Sequence, residues 1–199
     1  MEESDKKQRI ITAAIDLFYK KDFEAASIQE ITEAAGIAKG TLYLYFSSKD
    51  ALIDEIFAYC NIRNVQACDE GLDDEPTAIA KLQRRMQNAI RWRVAHKKEA
   101  VIEQMYMSIP GRGEGSRYTQ QHRHFAIVDK IIQAGIARGE IKNAQSSLLG
   151  EVFFGIGGAF YYYFRENPRQ MEEEYPWRLC MQMVRDCLQA DGLKPPPDK

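Results

Sequence analysis

The sequence predicts an all-α protein. Apolar residues recur at three- and four-residue spacing along most of the 199 residues. No segment shows the strict alternation of a half-buried strand, and no internal repeat is present. Helix start and stop signals also fall between the periodic stretches: Ser27 with Glu30, Gly36, Pro76, Gly139 and Pro176.

Residues 7 to 21 place Ile11, Ala14, Ile15 and Phe18 on one helical face, widened by Leu17, which describes an amphipathic support helix. Phe23 sits in the connection that follows and is expected to plug a small core. Ser27 and Glu30 have the spacing of a capping box, and Ile28, Ile31 and Ala35 then share a face of a second helix. Gly36 stands where that helix must stop in a left-handed conformation, and Ile37 turns back toward the core. A short third helix begins at Lys39, burying Leu42 and Phe46 and showing Lys39, Thr41, Tyr43, Leu44 and Tyr45 on its other side. Two short helices joined by a glycine turn form the pattern of a helix-turn-helix, whose second helix enters the major groove of DNA.

Ser47 or Ser48 can cap a fourth helix carrying Leu52, Ile53, Ile56, Phe57 and Cys60. GLDDEP marks the next boundary, followed by a helix with Ile79, Leu82, Met86, Ile90 and Val94 and a shorter one from about Lys97 to Met107. PGRGEGS reads as a mobile loop, since no strand precedes it and no G-K-[ST] closes it into a phosphate cradle. A seventh helix is expected from about Ser116 to Arg138. Val152 to Phe164, VFFGIGGAFYYYF, is uncharged and apolar on every side but shorter than the about 20 residues that span a bilayer, so it predicts a protein-covered helix and no membrane partner. Pro176 opens a ninth helix with Cys180, Met183, Val184, Cys187 and Leu188 as its stripe, and the tail DGLKPPPDK is expected to be disordered.

The formal charge of −2 and a pI near 6.0 are not those of a strongly basic nucleic-acid binder. The local balance differs, because Lys39 and Lys49 are the only charged residues from Ala34 to Lys49, with Lys6, Lys7 and Arg9 as a second basic cluster. Cys60 and Cys68, and Cys180 and Cys187, lie too far apart on their helices to bridge within them, which leaves small apolar thiols in a reducing compartment. His122 and His124 diverge on one helix, so neither a metal site nor a cofactor is expected. Arg84, Arg85, Arg91 and Arg93 read as solvated helix surface. MEESDKKQR has none of the order of a signal peptide, and the expected compartment is the cytoplasm.

The run AGIAKGTLYLYFSSKDAL, within residues 7 to 55, resembles the DNA-binding domain of the tetracycline-repressor (TetR) family of transcriptional regulators. The resemblance implies a helix-turn-helix DNA-binding domain over residues 1–50, a helical effector-binding and dimerisation domain over 51–190 and a tail over 191–199. It also implies a double-stranded DNA operator contacted by Gln29, Lys39, Gly40, Thr41, Tyr43, Tyr45 and Lys49, and an apolar or amphipathic effector among Trp92, Met105, Tyr106, Phe125, Phe153 and Tyr161. A palindromic operator requires a two-fold reader. The homodimer contact is therefore expected on the last two helices, at Phe154, Gly158, Tyr162, Cys180, Val184 and Cys187. The activity implied is that of a ligand-released repressor and not of an enzyme. The rival reading is a helical lipid carrier or enzyme that uses its first fifty residues as an interaction module.

Overall fold

The computed structural model describes residues 2–109 and 113–190, with side chains over 5–109 and 123–190. The tail from residue 191 and the start of the glycine-rich segment, Pro110 to Arg112, lie outside the described residues. The described helices are α1 (Glu2–Ala25), α2 (Ile28–Ala35), α3 (Lys39–Tyr45), α4 (Lys49–Asp69), α5 (Ala78–Ala95), α6 (Lys97–Ser108), α7 (Gly113–Ala137), α8 (Ser146–Glu166) and α9 (Glu174–Leu188), with a 3-10 turn over Pro168–Glu172. The only strand-like pairing among the described residues is an isolated antiparallel bridge between Ile141 and Gln189. None of the described helices is long and apolar enough to cross a membrane.

Several boundaries differ from the spacing-based expectation. Helix α7 starts at Gly113 and takes up part of the glycine-rich run. Helix α8 starts at Ser146, six residues before the uncharged stretch. Helix α9 starts at Glu174, so Pro176 lies in its first turn, where a missing N–H removes no helical hydrogen bond. Helix α1 is broken at Asp22, whose φ of 70° is left-handed. The Asp22 carboxylate accepts the backbone N–H groups of Glu24 (2.8 Å) and Ala25 (2.9 Å), which compensates that turn.

The chain divides into two compact units, Met1–Arg63 with His96–Gln120, and Asn64–Ala95 with Gln121–Lys199. The first unit thus reaches beyond residue 50 and includes α6. Its core joins Ile10, Ile11, Ala14 and Phe18 of α1 to Ile31, Leu42 and Phe46, to Leu52, Ile56 and Phe57 of α4, and to Ile102 and Tyr106 of α6. Phe23 is buried edge-on against Phe18, with ring centroids 5.0 Å apart. Tyr106 stacks on Phe57 at 4.0 Å and donates its hydroxyl to the Asp54 carboxylate at 2.8 Å, which locks α6 to α4. Each such fully buried large side chain contributes about 1.5–3 kcal/mol.

The second unit packs α5 against α8 and α9. Ile79, Leu82, Met86 and Ile90 meet a layer containing Phe153, Ile156, Phe164, Trp177, Cys180, Val184 and Leu188, all buried. Trp177 stacks on Phe164 at 4.5 Å and donates its indole N–H to the Met171 carbonyl at 3.0 Å. The Glu140 carboxylate accepts the Ala78 N–H at 2.5 Å and so caps the start of α5.

Of the α5 arginines, Arg84 and Arg91 are exposed as the surface reading expects, Arg93 is half-buried, and Arg85 is buried. Arg85 is only 2% exposed, because position 85 follows Leu82 by three residues and shares its inward face. It donates to Asp69 Oδ1 at 2.8 Å and to His124 Nδ1 at 3.1 Å, which puts the His124 ring proton on Nε2. Burial and the neighbouring guanidiniums of Arg85 and Arg93 push the His124 pKa down to about 3. Burial raises the Asp69 pKa against the lowering effect of Arg85. Arg84 pairs with Glu75 at 2.8 Å, while Arg91 and Arg93 lie over the rings of Trp177 (5.2 Å) and Tyr161 (4.7 Å).

Candidate nucleic-acid interface

The reading head is built from the backbone outward. The Ser27 hydroxyl oxygen accepts the Glu30 N–H at 3.2 Å, and the Glu30 carboxylate accepts the Ser27 N–H at 2.9 Å, completing the predicted capping box. Lys21 also donates to Glu30, and together these partners hold the half-buried Glu30 carboxyl at about 2. Gly36 takes φ 64°, and the Ile37 N–H closes the turn onto the Thr32 carbonyl at 3.0 Å. Arg9 spans the same turn, donating to the Ala35 carbonyl at 2.5 Å and the Gly36 carbonyl at 3.3 Å. A Cβ at residue 36 would lie 2.8 Å from that guanidinium, whose flexible end can shift, so it is the positive φ that calls for glycine there.

This accounts differently for the N-terminal basic cluster. Arg9 clasps the turn, and Lys7 pairs with Glu55 at 2.6 Å. Both have structural work within the unit. The Ser48 hydroxyl accepts the Ala51 N–H at 3.0 Å and caps α4. Lys49 Nζ donates to the Glu24 carbonyl at 3.1 Å, tying the head of α4 to the end of α1.

Helix α3 is anchored by Leu42 and Phe46, which are buried, and four of its other residues are open. Lys39, Gly40, Tyr43 and Leu44 are exposed, Thr41 and Tyr45 half-buried, and Gln29 on α2 is exposed with its amide N–H donating to Glu33 at 2.9 Å. The Tyr45 ring leans on Phe46 with centroids 6.4 Å apart. Five of the seven residues expected at DNA, Lys39 to Tyr45, thus share one seven-residue helix. Leu44 is not among them. It is 83% exposed, and the sequence carries the signal for it: a leucine two residues from buried Leu42, on the opposite face of a short helix.

The other candidate sites divide between the units. Tyr106 belongs to the core of the first unit, and Met105 lines there an open cleft of about 510 Å³ with Phe23, Ile53 and Ile109. Trp92, Phe125, Phe153 and Tyr161 belong to the second unit, where Phe125 packs on Phe154 at 4.3 Å and the buried Tyr161 hydroxyl has no hydrogen-bond partner among the described residues. The sequence grouped residues of two separate cores.

The expected dimer positions also separate. Cys180 and Val184 are fully buried inside the chain and face α5, so they are not available to a second copy. Phe154 is half-buried against Phe125 and Phe153, Gly158 would have no atom within 4 Å of an added Cβ, Tyr162 is 45% exposed, and Cys187 is exposed. The open apolar face runs instead through Leu148, Val152, Tyr162 and Tyr163 of α8 and Tyr175, Leu179 and Met183 of α9. Helix α9 buries Cys180, Val184 and Leu188 and turns Leu179 and Met183 outward, a division that a one-residue register difference decides.

A three-helix head with an exposed α3 has the arrangement of a helix-turn-helix. Residues 10–56 match the family described as bacterial regulatory proteins, tetR family. Residues 10–56 are thus similar to the N-terminal, DNA-binding part of that family. It is 41% identical over 76 residues to the HTH-type transcriptional regulator YerO of Bacillus subtilis (strain 168), covering 37% of this chain and 26% of that protein. The chain thus spans about a quarter of the length of the first curated relatives it matches. A longer likeness, 24% over 152 residues, joins it to the fatty acid metabolism regulator protein of the same organism, covering 75% of this chain and 78% of that one. The fold is shared with a putative tetR family transcription regulator from Shewanella sp. PV-4 (TM-score 0.83, 22% identity, 93% and 98% of the two chains). It is also shared with FadR from Bacillus subtilis, solved in complex with stearoyl-CoA (TM-score 0.77, 20% identity, 94% and 99%).

Proposed function

We propose that the protein is a cytoplasmic transcriptional repressor that binds a palindromic DNA operator as a homodimer and is released by a small apolar or amphipathic effector. The single observation that supports it most is α3, whose outward face from Lys39 to Tyr45 follows a turn closed by Gly36 and clasped by Arg9. Lys39, with its ammonium at the start of the helix, suits guanine O6 or N7, and Gln29 suits adenine. Gly40 has no positive φ and no atom within 4 Å that would exclude a side chain. A glycine that neither backbone nor packing requires, at a helix cost of about 1 kcal/mol, fits close approach to DNA. Tyr43, Thr41 and Tyr45 supply hydroxyls for phosphates, and Lys49 needs only to exchange the Glu24 carbonyl for a phosphate oxygen.

The dimer rests on the outward face of α8 and α9. Seven large apolar side chains, Leu148, Val152, Tyr162, Tyr163, Tyr175, Leu179 and Met183, are between 37% and 64% exposed in the single chain, which is the surface of an interface. For the effector, the aromatic second unit offers Trp92, Phe125, Phe153 and Tyr161, with the Tyr161 hydroxyl as a buried polar group still to be satisfied. The stearoyl-CoA held by the FadR neighbour makes long-chain acyl thioesters the first compounds to test.

Selection of bound sequences from a random DNA pool tests the reader. A recovered inverted repeat supports the dimeric operator, and no enrichment above the starting pool refutes it. For induction, a hundredfold loss of operator affinity requires about 2.7 kcal/mol of coupling between effector and DNA. Trp92 and Trp177 report effector binding by fluorescence, followed by operator affinity in the same sample. An effector-saturated protein that holds its operator as tightly as the empty one refutes release.

A further inference from the structure

We propose that Leu44 reads the 5-methyl group of a thymine in each half of the operator, an assignment that rests on the DNA-reading function above. Among the described residues Leu44 is the most exposed large apolar side chain, at 83%, and it lies outside the buried core of the first unit. A helical side chain lies over the turn N-terminal to its own Cα, and Leu44 therefore leans back over Gly40, four residues earlier on the same face. Gly40 contributes no side chain to that surface, and its Cβ direction is empty. Thr41, three residues before Leu44, borders the patch with a methyl group. The middle of α3 thus offers hydrocarbon between two polar ends, Lys39 before it and the Tyr45 hydroxyl after it.

Such a patch has a limited vocabulary. It has no donor or acceptor for cytosine N4, adenine N6 or guanine O6, and covering one of those groups leaves it unpaired at a cost. Thymine alone presents a methyl group in the major groove, and leucine can enclose it. Leu44 therefore selects thymine by what it cannot satisfy as much as by what it contacts. Lys39 and Gln29 read their bases by hydrogen bonds, so the two modes respond to different chemical changes.

The experiment uses the inverted repeat selected by the full-length wild-type protein, with each symmetric pair of thymines replaced in turn by deoxyuridine. That change removes only the methyl and keeps every hydrogen-bonding group. Fluorescence anisotropy is read for the wild type and for Leu44→Ala, whose fold is verified by circular dichroism and whose site is on the surface. At one thymine position the wild type should lose about fourfold affinity per half-site, and so about 15-fold for the pair, the effect of one buried methyl group. Leu44→Ala should bind the thymine operator more weakly and show no loss at that same position. Wild type and variant that respond alike to deoxyuridine at every position overturn the inference, as does a selected operator without thymine in its half-sites. Failure to recover any inverted repeat strikes the DNA-reading function itself, a separate outcome.

Discussion

Acidifying the protein from pH 7 to pH 5 should destabilise its second unit through His124. The ring accepts from Arg85 at 3.1 Å and is held neutral by burial and by the guanidiniums of Arg85 and Arg93, with a pKa of about 3 against 6.5 when unfolded. Between those values the unfolded chain binds a proton that the folded one refuses, so stability falls as pH falls through the window from 6.5 toward 3. At about 1.4 kcal/mol per pH unit, the 1.5 units from 6.5 to 5 cost about 2 kcal/mol. That is a sizeable part of the 5–15 kcal/mol typical of a domain, and about 4–8 °C in melting temperature for a chain of this size. Asp69, whose carboxyl is raised, acts in the opposite sense on further acidification, and a matched variant cancels it. His124→Gln keeps an acceptor for Arg85 and removes the titration, so urea unfolding at pH 7, 6 and 5 should show a slope in the wild type that the variant lacks. The chain has three histidines, and proton NMR should find the His124 ring unprotonated at pH 5. A His124 signal that titrates near 6.5, or equal slopes in the two proteins, refutes the reasoning.

The capping box should weaken in acid: Glu30, held at about 2 against 4.5, stabilises the head fully above pH 4.5 and loses that contribution as pH falls toward 2, so Glu30→Gln should flatten the acid limb of helix content followed by circular dichroism. Ser27→Ala removes the other half of the box and should cost about 1 kcal/mol in urea unfolding. Leu179→Glu or Met183→Glu should give folded monomers in sedimentation, whereas Val184→Glu places a carboxylate in the core and should unfold the second unit. Gly135→Ala should lose about 1–3 kcal/mol of stability, since its methyl would lie 2.6 Å from Ile141 Cδ1 and 2.7 Å from Ala78 Cβ.

The head is legible in the sequence because its determinants are local. A capping box needs two residues three apart, a left-handed stop needs a glycine, and Ser27, Glu30 and Gly36 show both without any knowledge of packing. Arg9 reads as part of a free basic cluster because its partners, the carbonyls of Ala35 and Gly36, are backbone atoms 26 and 27 residues away that carry no sequence signature. Arg85 reads as surface for the related reason that its partners, Asp69 and His124, lie on two other helices. Helix α9 shows a finer limit. Its stripe is wide enough for two faces, and composition does not say which of Met183 and Val184 turns inward; Gln83 of α5, donating to the Met181 carbonyl at 2.8 Å, belongs to the packing that decides it.

Folding leaves ten large apolar side chains exposed among the described residues, and their distribution is uneven. Tyr43 and Leu44 lie on α3, seven more lie on α8 and α9, and Ile62 alone stands outside these helices. Each unit therefore satisfies its own core and still keeps one concentrated hydrocarbon surface. A monomeric globule gains nothing from either surface, and both add to its risk of aggregation. A two-fold assembly on DNA uses both at once. In the proposed assembly the α8–α9 face joins the copies, and joining them doubles a reading head whose few cations would hold one half-site weakly. Under that proposal the acidic whole-chain balance does not count against DNA binding, because affinity would come from paired heads and selectivity from methyl groups as well as charge. That division also makes the complex sensitive to its own assembly, since any effector or substitution that alters the paired geometry removes two modest contacts together.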